Sequence, residues 1–254
     1  TPIQPNIKHV DYFKEKLISK KDNKVKTRKE GKATSVLNQV NADYASMVYA
    51  MDENVGRLIA SLKENDLYDD ALIIFSSDNG GLSTQNRIAP TSVFPLRAGK
   101  GWLYEGGVRI PQLIAPPNHS QNIKIEDVTV SYDLFPTILD YAGLTSDQII
   151  DGKSLMPIFK DGSKLEREDV FWHFPHYHGS LWKPGSSIRS GDWKLVKLYE
   201  SNKLELYNLS EDIGEMNDLS SIYPDKTQDL LKRLHKLQSK TNANTVSINK
   251  NFKN

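Results

Sequence analysis

A long helical stripe that leads into a short unbroken apolar run limits most what this chain can fold into. Leu37, Val40, Tyr44, Met47, Val48, Met51, Val55, Leu58, Ile59 and Leu62 recur at spacings of three and four, which predicts a helix with one apolar face. Asn65 and Asp66 end the pattern, and packing of the Met and Tyr stripe against a sheet is the expectation. Ala71–Ser77, with two isoleucines and a phenylalanine, then reads as a central strand covered on both faces. It runs straight into Asp78-Asn79-Gly80-Gly81. Helix, buried strand and polar glycine-rich turn make the αβ unit of an open α/β sheet. Ligands of such sheets bind outside the carboxyl ends of the strands, where Asp78 and Asn79 fall.

The remainder of the chain divides in style. Residues 82–95 read as a loop, Val108–Ala115 as a second strand stopped by Pro116-Pro117, and Tyr132–Ala142 as a helix closed by Gly143. After Gly152 the alternation of helix and strand gives way to short aromatic and aliphatic runs. Trp193–Tyr199 and Lys203–Tyr207 form an expected antiparallel hairpin, and Leu230, Leu231, Leu234 and Leu237 mark a final helix. The expected fold class is therefore α/β, an open, mostly parallel sheet flanked by helices over residues 1–155. A smaller C-terminal α+β subdomain with a polar tail follows over 156–254.

Composition removes several function classes. The net charge is +1, so no global field favours nucleic acid. Lysines and arginines crowd residues 14–32 without interleaved aromatics, which reads as a solvated surface rather than a nucleic-acid site. No apolar run approaches membrane-spanning length. Cysteine is absent, which excludes disulfides, thiolate metal sites and a cysteine nucleophile within these 254 residues.

Three groups of residues can carry chemistry, each with a plain alternative. Asp78 and Asn79 offer two hard oxygen donors from one turn, as Ca²⁺ or Mg²⁺ requires, yet Asp-Asn-Gly-Gly is also ordinary turn chemistry. Lys100 stands between Gly99 and Gly101, either as a cation that flexible backbone brings to a ligand or as a surface lysine. Gly106-Gly107-Val108-Arg109 reads as a tight lead into a strand. His173, His176 and His178, in F-W-H-F-P-H-Y-H-G, fit zinc binding, loop packing or contact with a sugar at a pocket rim. Trp182 is a candidate stacking platform or a core residue.

The segment D-N-G-G at 78–81, followed by P-L-R-A-G-K-G-W-L-Y-E-G-G-V-R-I-P at 95–111, closely resembles the type I sulfatases of the alkaline-phosphatase superfamily. It matches every fixed position of that family's G-K-G-x-x-[YW]-E-G-G-x-R-x-P motif. S-I-R-S-G-D-W-K-L-V at 187–196 and L-Y-N-L-S-E-D-I-G-E-M-N-D-L at 206–219 resemble the family's C-terminal subdomain. The resemblance implies that Asp78 and Asn79 ligate an active-site Ca²⁺ and that Lys100 contacts the sulfate and the leaving oxygen. It also suggests His176 and His178 as contacts to a sulfated carbohydrate or aryl sulfate, and a periplasmic or secreted location. Family members use a formylglycine made from Cys or Ser in a Cys/Ser-x-Pro/Ala-x-Arg motif near their N-terminus. No such motif occurs here, and the paired Asp ligands that precede it are missing too. The expectation is the C-terminal portion of a sulfuric ester hydrolase, inactive by itself. Its alternatives are a non-catalytic ligand-binding relative, or a phosphodiesterase or phosphonate hydrolase of the same superfamily.

Overall fold

The computed structural model describes residues 3–117, 122–244, 246–247 and 249. In chain order its elements are helix α1 (Val10–Ile18), strands β1 (Thr27–Glu30) and β2 (Ala33–Val36), and helix α2 (Ala42–Glu64). Strand β3 (Ile73–Ser76), strand β4 (Thr84–Gln85), the single helical turn α3 (Glu105–Val108) and strand β5 (Gln112–Ala115) follow. Helices α4 (Leu134–Tyr141) and α5 (Met156–Asp161) precede strands β6 (Val170–Phe174), β7 (Gly185–Ser190), β8 (Trp193–Leu198) and β9 (Lys203–Asn208). Helix α6 (Pro224–Lys240) comes last. Two compact units arise, each from separated stretches: Thr1–Glu53, Ser77–Ile110 and Asp169–Asn254 in one, Asn54–Ser76 and Pro111–Glu168 in the other. The sequence boundary at 155/156 falls inside the second unit.

The first unit is built on the antiparallel sheet β6-β7-β8-β9. Side chains alternate between the faces of a strand, so neighbouring residues serve two different cores. Leu195 and Leu206, with Ile188, face Leu230 and Leu234 of α6; the neighbouring Val196 and Tyr207 pack with Ala98, Leu103, Tyr104 and Trp182 on the other side. Helix α6 covers one face because its leucines recur at i, i+4, and Arg233 fixes it to Asp169 through two bonds of 2.9 and 2.6 Å. The opposite face carries the stretch from Ala98 to Tyr104, which is how the sheet holds the glycine-rich loop. The hairpin of β8 and β9 pairs Leu198 with Lys203, as the alternation predicts. A second hairpin, β1–β2, turns at Gly31 (φ +57°) and continues into β4. Its charged sequence hid it.

The second unit holds β3 and β5, with α4 and α5. The α/β class stands, together with its antiparallel C-terminal subdomain, but its mostly parallel character does not extend to these strands. Ile73 pairs with Ala115 and Ser76 with Gln112, antiparallel, and every strand pair among the described residues has that sense. Periodicity reports that a segment is a strand; it carries nothing about the direction of its partner. The stripe on α2 also departs from expectation. Met47, Val48, Met51 and Leu58 are exposed rather than core, because the described chain places no sheet over them. Helix α2 starts later than the stripe does, since residues 33–36 are paired in β2 and the Asn41 side chain accepts the Tyr44 N–H at 2.9 Å, capping the first turn.

Candidate active site

Backbone contacts bring the two glycine-rich motifs together in the first unit. Gly80 N–H donates to Gly107 O at 3.0 Å, Lys100 N–H donates to Gly81 O at 2.9 Å, and Gly106 N–H donates to Arg97 O at 2.8 Å. The chains touch so closely that a Cβ on Gly80 would lie 1.8 Å from Gly106 O, and one on Gly99 would lie 2.5 Å from Gly81 O. The turn after β3 is therefore locked against the loop that carries Lys100 by main-chain contacts, to which the buried Ser83 Oγ adds a bond to Ala98 O at 2.6 Å. Gly80→Ala is expected to cost about 2 kcal/mol or more, the usual penalty of overpacking, because the atom it meets is backbone. Gly56→Ala, in α2 with nothing within 4 Å, is expected to stabilise by up to about 1 kcal/mol, the helix-propensity gain. Thermal unfolding of the two variants checks the opposite signs.

Beneath this frame lies a buried ionic cluster. Lys194 is fully buried, with Nζ 2.9 Å from Glu105 Oε1 and 2.9 Å from Glu215 Oε1. Glu215 Oε2 accepts the Glu105 N–H at 2.6 Å, and Arg109 Nε donates to Glu105 Oε2 at 2.6 Å. Burial opposes ionisation of Glu105, but Lys194 and Arg109 outweigh it and hold its carboxyl down at about 2. Glu215, more deeply buried and facing the Glu105 carboxylate, is pushed up instead. Arg97 reaches Glu30 at 3.1 Å, the Tyr207 hydroxyl at 2.8 Å and Glu215 O at 3.0 Å, with its guanidinium 3.8 Å from the centre of the Tyr104 ring. Tyr104 and Tyr207 both donate to Glu205, at 2.6 and 2.9 Å. The expected strand lead at 106–109 is instead the turn α3, and its Arg109 closes back on Glu105.

The side chains singled out in the sequence behave oppositely. Asp78 and Lys100 are exposed and Asn79 half-buried. No side-chain hydrogen bond or ion pair engages any of the three among the described residues. By contrast Arg97, Tyr104, Glu105, Lys194, Glu205 and Glu215 are engaged in hydrogen bonds and ion pairs among themselves and with Glu30, Arg109, Lys203 and Tyr207.

The three histidines also separate. His173 Nδ1 lies 2.6 Å from Ser186 Oγ and 3.0 Å from the Tyr199 hydroxyl, and its Nε2 lies 2.7 Å from Asn244 O, so both nitrogens are used structurally. His176 is exposed and meets Phe174 edge-on with ring centres 5.7 Å apart. The half-buried His178 lies against Gly101, where a Cβ would fall 2.1 Å from its Nδ1. Gly101 adopts φ +83°, a second reason for glycine there. The structure thus joins His178 to the Lys100 loop, and that loop to the Asp78 turn. Trp182, offered as a stacking platform, is 1% exposed and belongs to the core. Zinc binding finds no support: no group of three or more His, Cys, Asp and Glu side chains among the described residues is placed to hold a metal. Asp78 and Asn79 are hard oxygen donors with unspent side chains, which fits part of a Ca²⁺ shell, and two donors are fewer than the six to eight the ion takes.

Sequence reasoning missed the buried ions. Period-two alternation places Lys194 on the face of Val196, and Glu205 on that of Tyr207, which marks both as inward charges needing partners. Nothing in the sequence indicated who those partners were.

Comparison with known proteins identifies the family. Residues 98–244 match the family described as N-sulphoglucosamine sulphohydrolase, C-terminal, and residues 5–144 match the sulfatase family. A sulfatase of Formosa agariphila is 37% identical over 232 residues, covering 80% of this chain and 41% of the relative. The crystal structure of Ps i-CgsB in complex with k-i-k-neocarrahexaose superposes with a TM-score of 0.73 at 30% identity, over 93% of this chain and 47% of that one. The structure of BT4656 with its substrate D-glucosamine-2-N,6-O-disulfate gives 0.64 at 28% identity, over 80% and 41%. The chain spans about two fifths of the length of the curated relatives it matches. With each family match extending over more than half of its residues, the chain belongs to the sulfatase family.

Proposed function

We propose that this chain forms the metal-ligand and cationic part of an active site that hydrolyses sulfate esters of carbohydrates, with aryl sulfates as simpler substrates. The observation that carries this reading is the set of side chains Asp78, Asn79 and Lys100, which carry no side-chain partner among the described residues, with His178 beside them offering Nε2, on a backbone-locked frame above a buried ionic core. Asp78 and Asn79 would hold Ca²⁺, which withdraws charge from the sulfuryl oxygens, beside a formylglycine that supplies the nucleophile from elsewhere in the parent protein. Lys100 binds a sulfate oxygen and neutralises the charge that builds on the leaving alkoxide as the S–O bond breaks. His176 and His178 contact the sugar. Sulfated carbohydrate is favoured because BT4656, a structural relative, is described with a disulfated glucosamine as substrate. The reading includes an exported enzyme; no helix among the described residues is long and apolar enough to cross a membrane.

The test uses the longer polypeptide that carries the formylglycine, assayed for sulfate release from a panel of sulfated monosaccharides and from 4-nitrophenyl sulfate. Calcium-dependent release is expected from at least one sugar, and Asp78→Ala is expected to lower it at least about a hundredfold, the scale of losing charge stabilisation in the transition state. An intact, formylglycine-bearing enzyme that releases no sulfate from any of these would refute the reading. So would an Asp78→Ala variant working at the parent rate.

A further inference from the structure

The geometry around His178 assigns it a definite protonation form. Ser180 N–H donates to His178 Nδ1 at 3.1 Å, and Ser180 Oγ lies 2.7 Å from the same nitrogen. A backbone N–H can only donate, so Nδ1 must present its lone pair, and the proton of the neutral ring resides on Nε2. Ser180 is itself held firmly. It is 2% exposed, and its carbonyl accepts the Trp102 indole N–H at 3.1 Å, tying it to the loop just beyond Lys100. The turn is closed by His178 N–H to Trp182 O at 3.2 Å and Leu181 N–H to His178 O at 2.9 Å. Gly101 fills the remaining space against the ring. Nε2 has no protein partner among the described residues, in contrast to His173, whose two nitrogens are both engaged.

We infer that His178 acts as a neutral hydrogen-bond donor through Nε2 to an oxygen of the sulfated sugar, and that Ser180 is the positioning residue that keeps it in that form. The inference rests on the sulfatase reading for the identity of the acceptor, and on the Ser180 geometry for the tautomer. A ring so held is neither a general base nor a metal ligand, since Nδ1 is occupied and Nε2 carries the proton. It discriminates between substrates instead. A site that donates one hydrogen bond to a sugar oxygen rejects an analogue lacking that oxygen, because the donor is then left unpaired.

Two measurements decide it. In the 254-residue chain labelled with ¹⁵N-histidine, with the resonance assigned through His178→Asn, Nε2 is expected to be the protonated nitrogen and Nδ1 the unprotonated one. Ser180→Ala, which keeps the backbone N–H and removes only Oγ, is expected to retain the Nε2–H tautomer with the fold intact by circular dichroism. A protonated Nδ1 in the parent chain overturns the inference, as does its appearance in Ser180→Ala, where the backbone donor to Nδ1 is still present. In the complete enzyme, His178→Gln, whose amide N–H₂ reaches the place of Nε2–H, should keep KM for the sulfated sugar near the parent value. His178→Asn, whose amide falls short, should raise KM about five- to tenfold, the size of one lost neutral hydrogen bond, with kcat little changed. Equal behaviour of Gln and Asn removes the donor role. Absence of sulfate release from the parent enzyme would sink the sulfatase reading, whereas the nitrogen spectra decide the tautomer by themselves.

Discussion

Replacing Lys194 with Met is expected to destabilise the protein by about 3–5 kcal/mol, the cost of removing one partner from a buried ionic group. Lys194 Nζ is the cation shared by Glu105 and Glu215, and all three residues are at most 1% exposed. Without it two carboxyl groups face each other inside the first unit with no counter-charge between them. Arg109 still pairs with Glu105, but it lies on the other carboxylate oxygen and does not reach into the gap. Urea denaturation followed by circular dichroism reads the loss directly. Adding Glu215→Gln to Lys194→Met should restore part of it, because the substitution removes the carboxyl that burial already disfavours as an anion. A single-variant loss below about 1 kcal/mol, the scale of an exposed pair, would mean that water reaches the cluster.

The second large effect falls on rate and leaves stability alone. Lys100→Ala in the complete enzyme is expected to lower kcat about 10²- to 10³-fold, as removal of a transition-state charge stabiliser does. Its unfolding midpoint should move by no more than about 0.5 kcal/mol equivalent, since the side chain is exposed and has no partner among the described residues. Lys100→Arg should not restore the rate, because a planar fork replaces a compact ammonium at the end of a loop fixed by Gly99 and Gly101. Steady-state kinetics with a sulfated sugar and a parallel thermal melt separate the two quantities. Unchanged kcat would return Lys100 to the class of surface lysines.

The Lys194 and Lys100 expectations differ because one lysine is spent and the other is not, and the sequence alone did not distinguish them. Lys100 stood out through its flanking glycines. Lys194 lay within an alternating strand whose polar positions are commonly solvated. Elements defined by local periodicity were legible: α4 with Gly143 behind it, the β8–β9 hairpin with its register, and the leucine stripe of α6. What failed was anything fixed by a distant partner. The direction of β3 against β5, the exposure of the α2 stripe and the helical turn at Glu105 are set by residues far away in sequence. For the site, residue type and spacing singled out Asp78, Asn79 and Lys100 but left turn chemistry and a surface lysine as open alternatives; the roles proposed for them come from the family resemblance. The proximity of His178 was not, because seventy-odd residues separate it from Gly101 and only the sheet β6–β9 returns the chain to that point.

Floor and rim of this site have different supports. Asp78, Asn79 and Lys100 sit on main chain clasped to main chain, where almost any added carbon collides with a peptide unit. The segment 175–183 emerges from the end of β6 with residues 176, 177, 179, 181 and 183 exposed, while Ser180 and Trp182 are buried and His178 is half-buried. An engineer seeking a new sugar preference therefore has a natural division of labour. On the proposed reading, diversity introduced at positions 176, 177, 179 and 181 would reshape the entrance without disturbing the charge-handling side chains, provided that the links between the two segments, His178 on Gly101, Ser180 O to the Trp102 indole and Trp182 in the core, are left in place.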